Sequence, residues 1–233
     1  MKLCVIPARG GSKRIPRKNI KEFFGKPIVA WSIDAALESK CFDKVIVSTD
    51  DEEIGEVCRQ YGAEVPFFRP SELADDKAET GPVIYHAIEW YKRNNWVPEF
   101  VCCLYPAAPF VTAGSLRKGL AELLRAGTDY VFPVVTFTYP IQRAIRLHST
   151  GSIEMFQPEM IRTRSQDLEE AYHDAGQYYW GKTSAWLERK TTFDSDSAVI
   201  IVPRYNAQDI DTLEDWEQAE LMFKALDNLD GRK

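Results

Sequence analysis

The sequence predicts an α/β fold with a mostly parallel sheet covered by helices on both faces, and three observations carry that prediction. Short apolar runs without alternation, such as Leu3–Ala8, Phe100–Leu104 and Tyr130–Val135, read as strands buried on both faces. Segments with apolar residues at helical spacing lie between them, which is the strand–helix rhythm of a parallel sheet. With 233 residues, 45% hydrophobic and 27% charged, the chain fits a single globular domain, residues 1–233. Ligands of such sheets sit at the carboxyl ends of the strands, so the residues just after them are the candidates for function.

Taken in order, Leu3–Ala8 is a strand that runs into a basic loop. Pro27 through Ser39 reads as a helix with proline in its first turn and Ile28, Val29, Trp31, Ile33, Ala36 and Leu37 as its apolar residues. Lys44–Ser48 is a β-branched strand, and Asp51–Tyr61 a helix with Ile54, Val57 and Cys58 on one face. Glu64–Phe68 reads as another strand, Thr80–Asn94 as a helix, and Ala113–Arg125 as the helix between the strands at 100–104 and 130–135. From Thr138 to Asp174 the rhythm breaks. Pro140, Gly151 and Pro158 interrupt a polar and aromatic stretch too long for a structureless loop in a compact domain. It is expected to be a hairpin or arm, at about 138–174, that packs against a second copy in a homodimer. Ser197–Pro203 supplies a further strand and Thr212–Leu226 the closing helix, whose Leu213, Trp216, Ala219 and Phe223 face the core. Residues 227–233 are expected to fray.

Composition narrows the function. A net charge of −6 excludes bulk attraction to nucleic acid. No apolar run is long enough to span a bilayer, and the chain enters its first strand at Leu3 without room for a secretion signal, so a cytoplasmic protein is expected. The five cysteines are odd in number and lack CxxC spacing, which argues against a disulfide framework or a structural zinc site.

Against the acidic whole, residues 9–26 hold seven cations (Arg9, Lys13, Arg14, Arg17, Lys18, Lys21 and Lys26) and one acid, Glu22. The sharpest motif lies here: Pro7-Ala8-Arg9-Gly10-Gly11-Ser12-Lys13-Arg14-Ile15-Pro16-Arg17-Lys18-Asn19. Paired glycines let backbone N–H groups approach an anion, and the cations neutralise it. Neither a Walker A loop nor a GxGxxG dinucleotide fingerprint is present. The plainer reading is an exposed basic turn; the density of charge favours a small polyanion such as a triphosphate.

Residues 8–19 resemble the N-terminal motif of the CMP-sialic acid synthetase family. The resemblance implies a three-layer Rossmann-like nucleotidyltransferase fold and CTP as co-substrate. It implies that Arg9, Lys13 and Lys18 contact the triphosphate, and that Ala8, Gly10, Gly11, Ser12 and Asn19 complete the nucleotide site, with Arg9 and Lys18 acting in catalysis. Val47 through Ile54 resembles a second family segment, in which Asp50 or Asp51 is read as a helix cap. Phe68 through Thr80 resembles a third, which implies Arg69, Ala78 and Thr80 near cytosine and ribose; Thr80 alone would pass for a cap. Alternating carboxylates in the extended triplet Asp209-Ile210-Asp211 point the same way and can meet one hard cation, although Asp211 or Thr212 would also suit a helix cap. The family carries a D-x-D here, which implies Asp209 and Asp211 as Mg²⁺ ligands, Asp211 being catalytic.

The acceptor segment Leu104-Tyr105-Pro106-Ala107-Ala108-Pro109-Phe110 lacks the glutamine usual in sialate enzymes. With Phe132–Val135, Tyr139–Ala144, Arg162–Leu168 and Tyr172–Tyr179 it looks like the pseudaminic acid cytidylyltransferase branch. That likeness implies Tyr105, His173, Asp174 and Gln177 as sugar contacts, with Arg162 or Arg164 on the sugar carboxylate. These arginines would equally suit a subunit contact. His86 and His148 read as a helix-face residue and an exposed one. The reaction implied is in-line attack of the anomeric 2-hydroxyl of pseudaminate on the α-phosphate of CTP, releasing diphosphate; no general base stands out. Alternatives are a sialate, legionaminate or octulosonate enzyme, or a non-catalytic nucleotide-binding regulatory module. No membrane or nucleic-acid partner is expected.

Overall fold

A computed structural model describes residues 1–75 and 79–230. The strands are β1 (Lys2–Pro7), β2 (Glu22–Phe23), β3 (Lys26–Pro27), β4 (Lys44–Ser48), β5 (Phe100–Leu104), β6 (Tyr130–Thr136), β7 (Ile145–Leu147), β8 (Ile153–Met155), β9 (Tyr172–Asp174), β10 (Tyr178–Lys182) and β11 (Ser197–Ile201). The helices are α1 (Ile28–Ser39), α2 (Glu52–Gln60), α3 (Thr80–Arg93), α4 (Ala113–Ala126), α5 (Thr183–Leu187) and α6 (Leu213–Asp230). The central sheet runs β11-β6-β10-β5-β1-β4, with β9 also paired to β6. One row of partners crosses it: Val45, Cys4, Cys102, Trp180, Val131 and Ala198. The fold is therefore α/β with a mostly parallel sheet, as expected, but β9 and β10 run antiparallel to their neighbours.

The central strands β1, β4, β5, β6 and β10 alternate their side chains between two buried faces, which explains why their apolar runs are continuous. Cys4, Ile6, Val45, Val47, Cys102 and Leu104 pack beneath α1, α2 and α4; Leu3, Val5, Ile46, Val101 and Cys103 pack beneath α3 and α5. A third cluster joins Ile15 of the basic loop, Phe23 of β2 and Phe110 to Ile210 and to Trp216, Ala219 and Phe223 of α6. This cluster holds the C-terminal Asp209–Asp211 segment against the basic loop. All five cysteines are buried and free. No helix among the described residues is long and apolar enough to cross a membrane.

The helix ends follow local chemistry. Asp51 caps α2 by accepting from the Ile54 N–H at 3.0 Å, and Thr112 caps α4 from the Ser115 N–H at 3.1 Å. Pro27 stands at the N-cap of α1 rather than inside its first turn.

Four expectations need correction. Residues 64–68 form only isolated bridges, Ile46 with Glu64 and Thr49 with Phe68, because Pro66 has no N–H to continue a ladder. β10 and α5 were not expected. A strand buried on both faces shows no alternation, and Tyr178–Lys182 follows directly on an irregular stretch. The segment from 138 leaves β6 and carries the exposed β7–β8 hairpin, but its last residues, Tyr172–Asp174, return to the main sheet. Finally, α6 continues past Leu226 to Asp230; residues 231–233 lie outside the described residues.

Candidate active site

The basic loop leaves the carboxyl end of β1 and is braced from behind. The Ala8 N–H donates to the Ser48 carbonyl at 3.0 Å, and the Gly10 N–H to Asp50 Oδ1 at 3.0 Å. A Cβ on Gly10 would come within 2.8 Å of Asp51 Oδ2, so only glycine lets the loop lie this close to the start of α2. Arg17 adopts a left-handed backbone (φ 56) and donates its guanidinium to Asp51 and Glu53. Asn19, buried, ties the loop's ends together by donating from Nδ2 to the Arg9 carbonyl at 2.9 Å.

The seven cations divide into two groups. Arg17 serves the brace, Lys21 lies 4.0 Å from the centre of the Trp216 ring, and Lys26 covers Trp31 and pairs with Asp34. Arg9, Lys13, Arg14 and Lys18 instead line a cavity of about 420 Å³ with Ser12, Asn19 and Asp211. Gly11 is exposed, with open space where a Cβ would stand. Arg9 also donates to the Asp75 carbonyl at 2.8 Å.

Opposite the loop stands the acidic triplet. Asp209 and Asp211 flank the buried Ile210, and both line a second cavity of about 350 Å³ that shares Pro7, Arg9, Lys18 and Pro106 with the first. Lys18 donates to the Ile210 carbonyl at 2.8 Å and lies 3.5 Å from Asp211, which also pairs with Arg14 at 2.8 Å. Asp211 does not cap α6. Thr212 and Asp215 do so reciprocally: Asp215 accepts from the Thr212 N–H at 2.7 Å, and Thr212 Oγ1 accepts from the Asp215 N–H at 3.2 Å. The Asp211 carboxylate therefore faces the cleft cations Arg14 and Lys18 rather than the helix end. Burial, then the neighbouring Asp211 charge, push the Asp209 carboxyl up. Two carboxylates lining one cleft are a donor set suited to one hard divalent ion that keeps waters or phosphate oxygens as its other ligands. No cluster of three or more acidic, histidine or cysteine side chains suited to a metal occurs among the described residues.

Thr80 and Tyr105 form the boundary to a third cavity of about 470 Å³, lined by Tyr130, Tyr179, Trp186 and Phe193 among others. The rings contact one another, Tyr130 with Trp186 at 5.0 Å and Tyr105 with Tyr179 at 5.6 Å between centroids. Gly181 permits this packing, since a Cβ there would meet Trp186 Nε1 at 2.6 Å and the Tyr130 ring at 2.7 Å. The Tyr179 hydroxyl donates to Asp174. Burial pushes the Tyr105 and Tyr179 phenols above their usual range. Tyr130, Trp186 and Phe193 escaped sequence reasoning, as did Tyr179 as a lining residue. Its only sequence signal is the aromatic run Tyr178-Tyr179-Trp180.

The remaining candidates fall elsewhere. Arg69 is buried, donates to Ser48 and to the Leu73 carbonyl, and still edges the second cavity; burial lowers its pKa to about 10. Thr80 is the first residue of α3 rather than its cap, which is Glu79. Ala78 lies outside the described residues. Gln177 is buried and donates to the Asn206 carbonyl, while His173 is exposed with its ring 4.8 Å from Phe137. Arg162 and Arg164 are exposed on the 138–171 excursion and line none of these cavities. His86 lies on α3 against Phe67, and His148 is exposed beside Glu154.

A cytidylyltransferase family model matches residues 3–221. The chain is 46% identical to a pseudaminic acid cytidylyltransferase of Campylobacter jejuni over 95% of this chain and 96% of that one. It is 30% identical to a CMP-N,N'-diacetyllegionaminic acid synthase of Legionella pneumophila, again over 95% and 96% of the two chains. A solved CMP:2-keto-3-deoxy-manno-octonic acid synthetase in complex with CTP matches the fold with a TM-score of 0.69 at 13% identity, covering 96% of this chain and 98% of that one.

Proposed function

The chain belongs to the cytidylyltransferase family, and from that premise we propose that it joins CMP to pseudaminate, consuming CTP and releasing diphosphate. The observation that carries this reading is the junction at Tyr105 and Thr80. There a cavity lined by cations and carboxylates meets one lined by aromatic rings. A nucleoside triphosphate needs the first. A nonulosonate whose C9 is a methyl and whose amines are acylated suits the second, because rings match its apolar groups better than hydroxyl-binding side chains would.

In this mechanism Arg9, Lys13 and Lys18 hold the triphosphate, and their charge offsets what develops on the leaving diphosphate. The Gly10–Ser12 backbone brings the loop close to the phosphates. Asp209 and Asp211 would hold Mg²⁺, which when bound supplies Lewis-acid stabilisation of phosphate charge. Arg69, Ala78 and Thr80 are assigned to the nucleoside side, Asn19 to the loop. The aromatic wall aligns the acid so that its 2-hydroxyl faces the α-phosphorus opposite the leaving group, which removes much of the orientational cost of the step.

The excursion supports a homodimer. Tyr139, Leu147, Ile153, Phe156 and Ile161 are all exposed on it, a concentration of apolar surface that a second copy would cover. Arg162 and Arg164 stand among them and would reach the sugar carboxylate of the neighbouring subunit. Use of CTP and five free thiols fits a cytoplasmic setting.

The test is diphosphate release from CTP and Mg²⁺ with pseudaminate, N,N'-diacetyllegionaminate and N-acetylneuraminate in parallel. Turnover restricted to pseudaminate is expected. Turnover of another acid in its place would keep the nucleotide half of the reading and reject the acceptor, and release with none would reject the reaction.

A further inference from the structure

Arg189 stands where glycine is the usual residue. It follows the end of α5 with a left-handed backbone (φ 55). Its N–H donates to the Trp186 carbonyl at 3.3 Å, and the Lys190 N–H to the Ala185 carbonyl at 3.1 Å. That pair of bonds is the Schellman ending of a helix, whose left-handed position favours glycine because a Cβ there is strained. The chain therefore carries this side chain against a local conformational cost. The side chain also has a place to act. Arg189 lines the aromatic cavity and, with Pro82, a neighbouring cavity of about 240 Å³ walled by Leu73, Tyr85, His86 and Trp90 among others. Its guanidinium lies 5.3 Å from the centre of the Tyr85 ring. Lys190, the other cation of the aromatic wall, is held by Asp129 at 2.6 Å and Glu188 at 3.6 Å. Arg189 has no carboxylate partner among the described residues.

We propose that Arg189 recognises an N-acyl group of the acid by donating to its carbonyl oxygen, and that the cavity beside Tyr85 receives the acyl chain. This deepens the reading of the reaction given above and rests on it. A guanidinium donates and never accepts, so it selects groups that only accept. The acid offers its carboxylate and its amide carbonyls. The carboxylate is bonded to C2, whose hydroxyl attacks phosphorus, and so stays near Tyr105 and Thr80, which border the nucleotide side. Arg189 borders neither cavity of the nucleotide side and instead joins the aromatic cavity to the one beyond it. An acylamido carbonyl, carried on carbons remote from C2, is the acceptor that fits this place. The space beyond is several times the ~30 Å³ that one water occupies in the liquid, more than the methyl of an acetyl group fills. Leu73, Pro82 and Trp90 give it apolar walls. The substrate class therefore extends to nonulosonates whose acyl group is longer than acetyl.

The test uses Arg189→Gly, which removes the guanidinium and relieves the left-handed strain. Steady-state constants are measured with the acid that the wild-type protein turns over, and with analogues in which one or the other acylamido group is replaced by hydrogen. A further pair carries butanoyl in place of acetyl on one nitrogen or the other. Arg189→Gly should melt no lower than wild type, so that a loss does not report misfolding. Its KM for the acid should rise about 10- to 100-fold, the range for losing a hydrogen bond to a charged group, with kcat and the KM for CTP within about threefold. That penalty should vanish for the one analogue that lacks the carbonyl held by Arg189. Wild-type protein should turn over one of the butanoyl acids about as well as the acetyl form. An unchanged KM in Arg189→Gly, or a penalty that persists with both deleted analogues, would overturn the contact. Rejection of both butanoyl acids would overturn the role of the second cavity. Turnover of no acid by the wild-type protein would reject the reaction and this inference with it, whereas wild-type constants in Arg189→Gly would reject the inference alone.

Discussion

At one end of the cleft a single unbroken segment, residues 8–19, supplies most of the lining; at the other the lining comes from α3, β6, β10, α5 and residues 189–193. The charged end is also braced by neighbours that never face the cleft, with Asp50, Asp51 and Glu53 holding the loop from the α2 side. The aromatic end is held mainly by its own packing, ring against ring around Gly181. Charge must be positioned against its own repulsion and so needs a scaffold behind it. Rings that exclude water hold one another.

If that contrast is sound, damage at the charged end strikes rate, whereas damage at the aromatic end strikes affinity for the acid. The largest effect is expected for Asp211→Asn. Turnover dependent on Mg²⁺ should fall by about 10²–10³-fold, the range seen when a main electrostatic contributor is removed. Thermal unfolding should barely change, because Thr212 and Asp215 carry the α6 cap. Full activity in a magnesium titration would return Asp211 to a purely structural pairing with Arg14 and Lys18. A smaller effect is expected for Phe193→Ala. Loss of one exposed ring at the wall should raise the KM for the acid by about tenfold, corresponding to ~1.4 kcal/mol, and leave the KM for CTP alone. A change in the CTP constant instead would show that the two cavities do not divide the substrates.

The smallest effect concerns the brace. Asp51→Ala removes a cap and an ion pair and should cost ~1 kcal/mol of stability near neutral pH. Hydrogen bonding from Arg17, chiefly, holds the Asp51 carboxyl below its usual range. A depressed folded pKa means the stabilisation is complete above the unfolded value of about 4 and is lost as pH falls through the folded one. Melting curves of wild type and variant should therefore begin to approach one another below about pH 4 and meet once pH falls under the depressed folded value. Curves that stay parallel into acid would mean that the charge of Asp51 contributes little to the brace.

The same contrast governs what could be read before the structure was in hand. Residues 8–19 were legible because glycine pairs and cations after a strand carry their chemistry in consecutive letters. Most strands and helices were legible for a related reason, since burial on one or two faces writes a local pattern. Counting charges, however, could not separate Arg17, Lys21 and Lys26, which serve Asp51, Trp216 and Asp34, from the four cations that line the cleft. Nor could it distinguish a cap at Asp211 from one at Thr212, which depends on where Asp215 turns. Beyond Tyr105, the aromatic cavity was hidden because Tyr130, Tyr179, Trp186 and Phe193 are scattered over some sixty positions and, Tyr179 apart, none stands in a motif.

The place of β10 has a consequence for how the chain is made. β10 lies between β5 and β6, yet it follows both in sequence and is separated from β6 by the whole excursion. During synthesis β4, β1 and β5 can assemble as soon as they emerge, but β5 and β6 then present unpaired edges until residues 178–182 leave the ribosome. The nascent protein must carry two open strands through the synthesis of more than forty residues, and a ribosome stalled in that interval would release a sheet ready to pair with the wrong chain.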